Sequence, residues 1–161
     1  MKKLFLSVLF AILLVGGYAN LAHAIAIPEA EQGNEGPAVW LVPVYNNSGG
    51  TLDVGDVVVW DIEQSTGDND NYVTTTTTAD TVLVAGVVYG NDIAAASSGT
   101  IAVHGFVSVD MAGGGNTVDG PVCTSATAGS AQSCGNNAAA FGFVTTVTSS
   151  GSANVFVKGL N

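Results

Sequence analysis

From residue 38 onward, apolar and polar positions alternate in short runs, and clusters of Gly, Asn, Asp and Ser separate the runs. Period-two alternation places successive side chains on opposite faces of a β-strand. The clearest case is residues 100–110. There Ile101, Val103, Gly105, Val107 and Val109 fall on one face, and Ala102, His104, Phe106 and Ser108 on the other. Weaker runs predict further strands over residues 38–45, 51–62, 72–78, 81–89, 117–124, 138–148 and 154–158. Pro43 places the first of these at a sheet edge, because proline has no N–H for a ladder. Gly55 marks a bulge or bend inside the second. Residues 90–98 have room for one helical turn.

Composition agrees with the pattern. The chain is rich in Val, Thr, Gly and Ala and poor in Leu, Lys, Glu and Arg, the usual helix formers. Val and Thr are stiff at χ1 and suit a pleated surface. The expected fold class is all-β, a single β-sandwich or small β-barrel of about eight strands. Two local signals bear on its shape. Five consecutive threonines, Thr74 to Thr78, would make either a flat polar strip that pairs readily at an edge or an ordinary solvated strand face. Glycines inside strands, in Ala85-Gly86-Val87 and His104-Gly105-Phe106, permit the close backbone approach of a strongly curved barrel.

The N-terminus has a different texture. Lys2 and Lys3 precede an almost unbroken apolar run, residues 4–15, and Gly16, Gly17 and Asn20 break it. Ala22-His23-Ala24 supplies small residues at −3 and −1. This is the tripartite pattern of a secretory signal, with cleavage expected after Ala24 and Ala26 as second choice. The rival is a retained anchor, but the run is shorter than the ~20 apolar residues a spanning helix needs. The organisation expected is a signal peptide over residues 1–24, a polar arm over 25–37 and a β domain over 38–161. The expected location is secreted or cell-surface, with no integral membrane segment after cleavage.

Removing the signal sharpens the charge balance. Lys158 is left as the single basic side chain against 13 acidic ones, a formal charge of −12. One cation cannot neutralise a run of phosphates, so nucleic acid is not an expected partner. The acids keep an exported protein soluble, and they leave calcium as a possible ligand. The candidates are Asp68 and Asp70 in Gly67-Asp68-Asn69-Asp70-Asn71, hard oxygen donors at alternate positions. Tyr72 interrupts the twelve-residue calcium loop, so an Asx-rich turn is the competing reading. No other cofactor is expected.

Catalytic equipment is sparse. The one histidine after the signal, His104, lies in mid-strand, and no Gly-x-Ser-x-Gly elbow is present. Asp53, Asp56, Asp61 and Glu63 could pair as glycosidase carboxylates, but few aromatics accompany them. No enzyme is expected. Cys123 and Cys134 form the one even pair, read as a disulfide in an oxidising compartment. They bracket a segment with almost nothing to bury, so the bridge reads as a staple across a weak loop. A redox pair would normally show Cys-x-x-Cys spacing.

The series Leu52-x-x-Gly55-Asp56-Val57-Val58, Val84-Ala85-Gly86-Val87 and Gly99 through Val109 resembles the small capsid-decoration, or cement, proteins of tailed phages. The likeness covers about two-thirds of the chain, from Thr51 onward. It implies a compact β-barrel that trimerises on a shell, and it carries over no functional residue. A signal peptide departs from that family's pattern. The residues themselves lead to an exported, self-assembling subunit of an extracellular filament, surface layer or matrix. The 25–37 arm, with Ile25 and Ile27, would add as a strand to a neighbour. The alternatives are a glycan- or surface-binding module with a stacking face of Trp40, Trp60, Tyr45, Tyr72 and Tyr89, and a decoration-like trimeric barrel.

Overall fold

The structure is a computed structural model, and it describes residues 38–63, 71–113, 117–134, 139–149 and 151–158. The signal, the 25–37 arm and the Asp68 and Asp70 loop lie outside the described residues. Among the described residues nine strands are formed: β1 (Trp40–Asn46), β2 (Val57–Trp60), β3 (Tyr72–Thr74), β4 (Val84–Val88), β5 (Ser98–Asp110), β6 (Pro121–Thr124), β7 (Ala131–Ser133), β8 (Gly142–Ser149) and β9 (Ser152–Lys158). They lie in the order β1-β3-β2-β4-β5-β9-β8-β6-β7, and β1 also pairs with β5. That extra pairing closes five strands, β1-β3-β2-β4-β5, into a small barrel. The other four extend the sheet from the distal half of β5.

β5 belongs to both halves. Its first part pairs antiparallel with β1, from Tyr45 opposite Ser98 to Trp40 opposite His104. Its second part pairs with β9, from His104 opposite Lys158 to Asp110 opposite Ser152. The ladder shifts register between Trp40 and Leu41, where Val103 is the extra residue on β5. Such a bulge bends its strand and turns the side chains that follow. Gly105 completes the bend with φ +107, and a Cβ there would lie 2.9 Å from Val39 Cα. Only glycine takes that backbone conformation readily. The strict alternation read from the sequence is therefore broken. Ile101 and Val103 pack with the barrel interior, whereas Val107 and Val109 pack in a second core.

The two cores explain strands without alternation. One holds Val44, Leu52, Val58, Val73, Ala85, Val88, Ile93 and Ile101 inside the barrel. The other gathers Val57, Val84 and Val87 with Val107, Val109, Val144, Val155 and Val157 of the extension. Thus β4, Val-Ala-Gly-Val-Val, is buried on both faces and reads as a continuous apolar run. Gly86 sits where a Cβ would be 2.5 Å from the Ala102 carbonyl oxygen, so β4 and β5 approach closely there.

Several sequence expectations change. The expected strand over 51–62 is β2 alone. Leu52 forms an isolated bridge with Ile93, and Asp53 to Asp56 make a turn closed by Asp56 N–H to the Asp53 carbonyl, 3.0 Å. The 90–98 segment is no helical turn, because its Ile93 pairs with Leu52 and is buried. Of the five threonines only Thr74 is in a strand. Thr78 N–H bonds the Thr76 hydroxyl, 3.0 Å, and the Thr78 carbonyl accepts from Thr124 Oγ1, 3.0 Å, so the run is folded onto β6 rather than flat at an edge. Pro43 does stand where β1 is paired on one side only, since β3 joins at Tyr45 and Asn46.

The segment between the cysteines is also more than a weak loop. It contains β7, a strand the composition hid, and Ala131 is fully buried in the second core. Met111 bridges Ala131 in parallel, and Ala112 N–H donates to the Ala131 carbonyl at 2.7 Å. This contact brings the far edge of the extension back to the end of β5.

Candidate functional site

The cysteine pair is bonded, with Cα atoms 5.2 Å apart. Cys123 lies on β6 opposite Gln132, and Cys134 follows β7 directly, so the bridge ties one hairpin shut. Asp80 brings a carboxylate oxygen within 4.8 Å of both sulfurs. The sulfurs are bonded to each other, so this grouping lacks the thiolates a soft metal needs. One Asp80 carboxylate oxygen is buried without a hydrogen-bond partner.

Of the four candidate glycosidase carboxylates, Asp53 and Asp56 lie together at the turn before β2. Asp56 Oδ2 accepts from Asp53 N–H at 2.9 Å, and Asp92 Oδ1 accepts from Val54 N–H at 2.9 Å, so these acids organise the turn before β2. Burial pushes the Asp56 carboxyl up, and the charges of Asp53, Asp110 and Asp92 add to the rise against its hydrogen bond from Asp53. Burial first, then the Asp53 charge, also raises Asp110. Asp61 is engaged elsewhere, accepting from Asn47 Nδ2 at 2.7 Å and from Glu63 N–H at 3.3 Å.

Four residues of the expected stacking face, Trp40, Trp60, Tyr45 and Tyr72, are dispersed. Trp60 packs against the barrel core. Tyr45 and Tyr72 pair with each other edge-to-face at 5.1 Å. Trp40 is at the opposite end of β1 from Tyr45 and is 64% exposed.

Trp40 instead belongs to an aromatic surface on β5, β9 and β8. Its ring is 4.9 Å from that of His104, and His104 is 5.1 Å from Phe156. Phe106 meets Phe156 at 5.1 Å, edge-to-face. Phe143 stands directly opposite Phe156 on β8, and Lys158 Nζ lies 5.8 Å from the Phe143 ring centroid, within reach of a cation–π contact. The register makes this surface inevitable once the strands align. Val155 and Val157 turn into the core, so Phe156 and Lys158 turn outward. Val107 and Val144 do the same for Phe106 and Phe143. Trp40 and His104 stood out in the sequence, with Phe106 on the predicted face of His104, but Phe143 and Phe156 did not. The signal was present in Val-Phe-Val-Lys, where flanking inward valines leave the phenylalanine outside.

No helix among the described residues is long and apolar enough to cross a membrane. No protein-family model matches the chain, and no curated protein matches it. Solved structures do match in fold. The N-terminal base of the head fibre gp8.5 of bacteriophage phi29 superposes with a TM-score of 0.53 at 14% identity, covering 76% of this chain and 99% of that one. A chain from the capsid of Myoviridae phage XM1 superposes with a TM-score of 0.56 at 14% identity, covering 85% of this chain and 100% of that one. At this identity the likeness is one of fold. The resemblance to phage capsid-decoration proteins holds at that level, and the all-β small-barrel class holds with it.

Proposed function

We propose that this protein is a non-enzymatic structural subunit that associates with copies of itself and decorates a larger surface. The observation that carries the reading is the exposed aromatic surface on β5, β9 and β8, presented by a fold shared with a phage head-fibre base and a phage capsid chain. Exposed aromatic clusters are costly to leave in water and are the usual centres of protein contacts. A fold by itself does not carry a function, so the reading rests on that surface. Export to the cell surface remains part of the proposal on the strength of Lys2-Lys3, the apolar run 4–15 and Ala22-His23-Ala24.

The test is electron microscopy of the purified protein, with mass spectrometry of the same sample. Ordered assemblies, or particles bound to a shell or cell surface, support the structural reading. Uniform single particles with no affinity for any surface of the source would remove it. A mass corresponding to cleavage after Ala24 supports export, and an intact N-terminus removes that part alone.

A further inference from the structure

We propose that the aromatic surface of β5, β9 and β8 is where a second copy of this chain docks, in a head-to-tail contact that places Lys158 against a neighbour's carboxylate. The inference rests on the self-association reading above and adds the surface and the sense of the contact. Its members are Trp40, His104, Phe106, Phe143, Phe156 and Lys158, joined ring to ring at about 5 Å. Phe106 and Phe143 are each 40% exposed.

Given self-association, charge locates the contact. Beyond residue 24 the chain has Lys158 as its only basic side chain, against 13 acids. Two copies therefore repel over most orientations, and the sole attractive side-chain charge pair between them must have Lys158 on one side. Lys158 stands on this surface, and none of the surface's members is a carboxylate. The next acid along β5 is Asp110, held against Gly55. The other exposed large apolar residues are differently placed. Val54 adjoins Asp53, Ile62 lies between Asp61 and Glu63, Val82 and Leu83 follow Asp80, and Val118 adjoins Asp119, while Leu41, Tyr89 and Val147 have neither an acid nor a cation beside them in the chain. Only the aromatic surface offers apolar area and a cation together.

The same charges set the geometry. A two-fold contact of this surface with itself would match no cation with a carboxylate. A contact of this surface with an acidic face of the neighbour matches one at each junction, buries the phenylalanines, and leaves a free surface for the next copy.

The experiment is sedimentation velocity on the protein as its cells process it, over a wide range of concentration, with Lys158→Glu, Lys158→Met, Phe106→Ser combined with Phe143→Ser, and Val82→Ser as control. Circular dichroism and a thermal melt show which variants keep the fold. The expected result is association of the wild type and of Val82→Ser. Lys158→Glu and the double serine variant should be weakened roughly tenfold or more, and Lys158→Met less. Wild-type association with undiminished association of the folded surface variants would overturn the assigned surface while leaving self-association standing. A wild type that stays monomeric throughout would overturn self-association itself.

Discussion

The side-chain amide of Asn46 donates to the carbonyl of Ile93, 47 residues further along the chain, at 2.8 Å. Asn46 is fully buried, and every polar group it carries is used. Its Nδ2 also reaches the Gly50 carbonyl at 2.7 Å, and its Oδ1 accepts from Ser48 N–H at 2.9 Å and Ser48 Oγ at 2.7 Å. One side chain thus closes the 46–50 turn and pins it to the segment that carries Ile93 into the barrel core. Replacing Asn46 with Ala removes four hydrogen bonds, two donated by Nδ2 and two accepted by Oδ1, while the Ile93 carbonyl keeps Leu52 N–H at 2.9 Å. The expected loss is ~1–3 kcal/mol, read as a lowered urea midpoint with an unchanged slope.

Gly105→Ala tests the bend that passes β5 from one core to the other. The backbone stands at φ +107, and the added methyl would meet Val39 Cα at 2.9 Å. A destabilisation of about 1–3 kcal/mol is expected from the backbone conformation alone, with the clash adding to it. Gly113→Ala has the same sign of φ with nothing within 4 Å, so it isolates the backbone cost. Equal losses in the two variants would count against the close approach of Val39.

Opening the Cys123–Cys134 bridge by a double change to Ala should cost roughly 3 kcal/mol on the loop-closure model. The effect is expected to reach beyond the hairpin. Ala131 of β7 is what Met111 and Ala112 bind. Hydrogen exchange at the Ala112 amide should rise in the variant. An unchanged Ala112 rate would show that β7 holds its place without the bridge.

Acid should stabilise this protein over part of its range. Asp56 and Asp110 have carboxyls raised above the ordinary value of 3.8. Between 3.8 and the raised values the folded state binds more protons than the unfolded state, so stability falls as pH rises through that window. Above it the cost of two partly buried carboxylates, each beside the Asp53 charge, is fully present. The melting temperature is therefore expected to climb as pH is lowered from neutrality toward the raised values. Asp56→Asn keeps an acceptor for the Asp53 amide and should both raise the neutral-pH melting temperature and flatten the climb. A melting temperature that falls steadily with acid, in wild type and variant alike, would contradict it.

Much of the architecture was legible. Val- and Thr-rich runs announced strands because β-branched side chains favour a pleated surface, and residues 100–110 became β5, the longest strand. Trp40 was recognised as notable without its partners, since His104, Phe106, Phe143 and Phe156 come from distant points along the chain. β7 was hidden because Ala131, Gln132 and Ser133 carry no strand signal of their own, and it is the pairing with β6 that makes them a strand.

The local alphabet of this protein determined its class: stiff β-branched residues, glycine punctuation, one cation among many acids, and two cysteines placed to bond. These are properties of single residues and near neighbours, and they survive without knowledge of the fold. Tertiary structure alone decided that β5 serves two cores and that the β1–β5 pairing closes a barrel. It also decided that three phenylalanines share one exposed surface with Trp40 and Lys158. Each of those depends on register between strands far apart in sequence, where a shift of one residue would exchange the buried face for the exposed one.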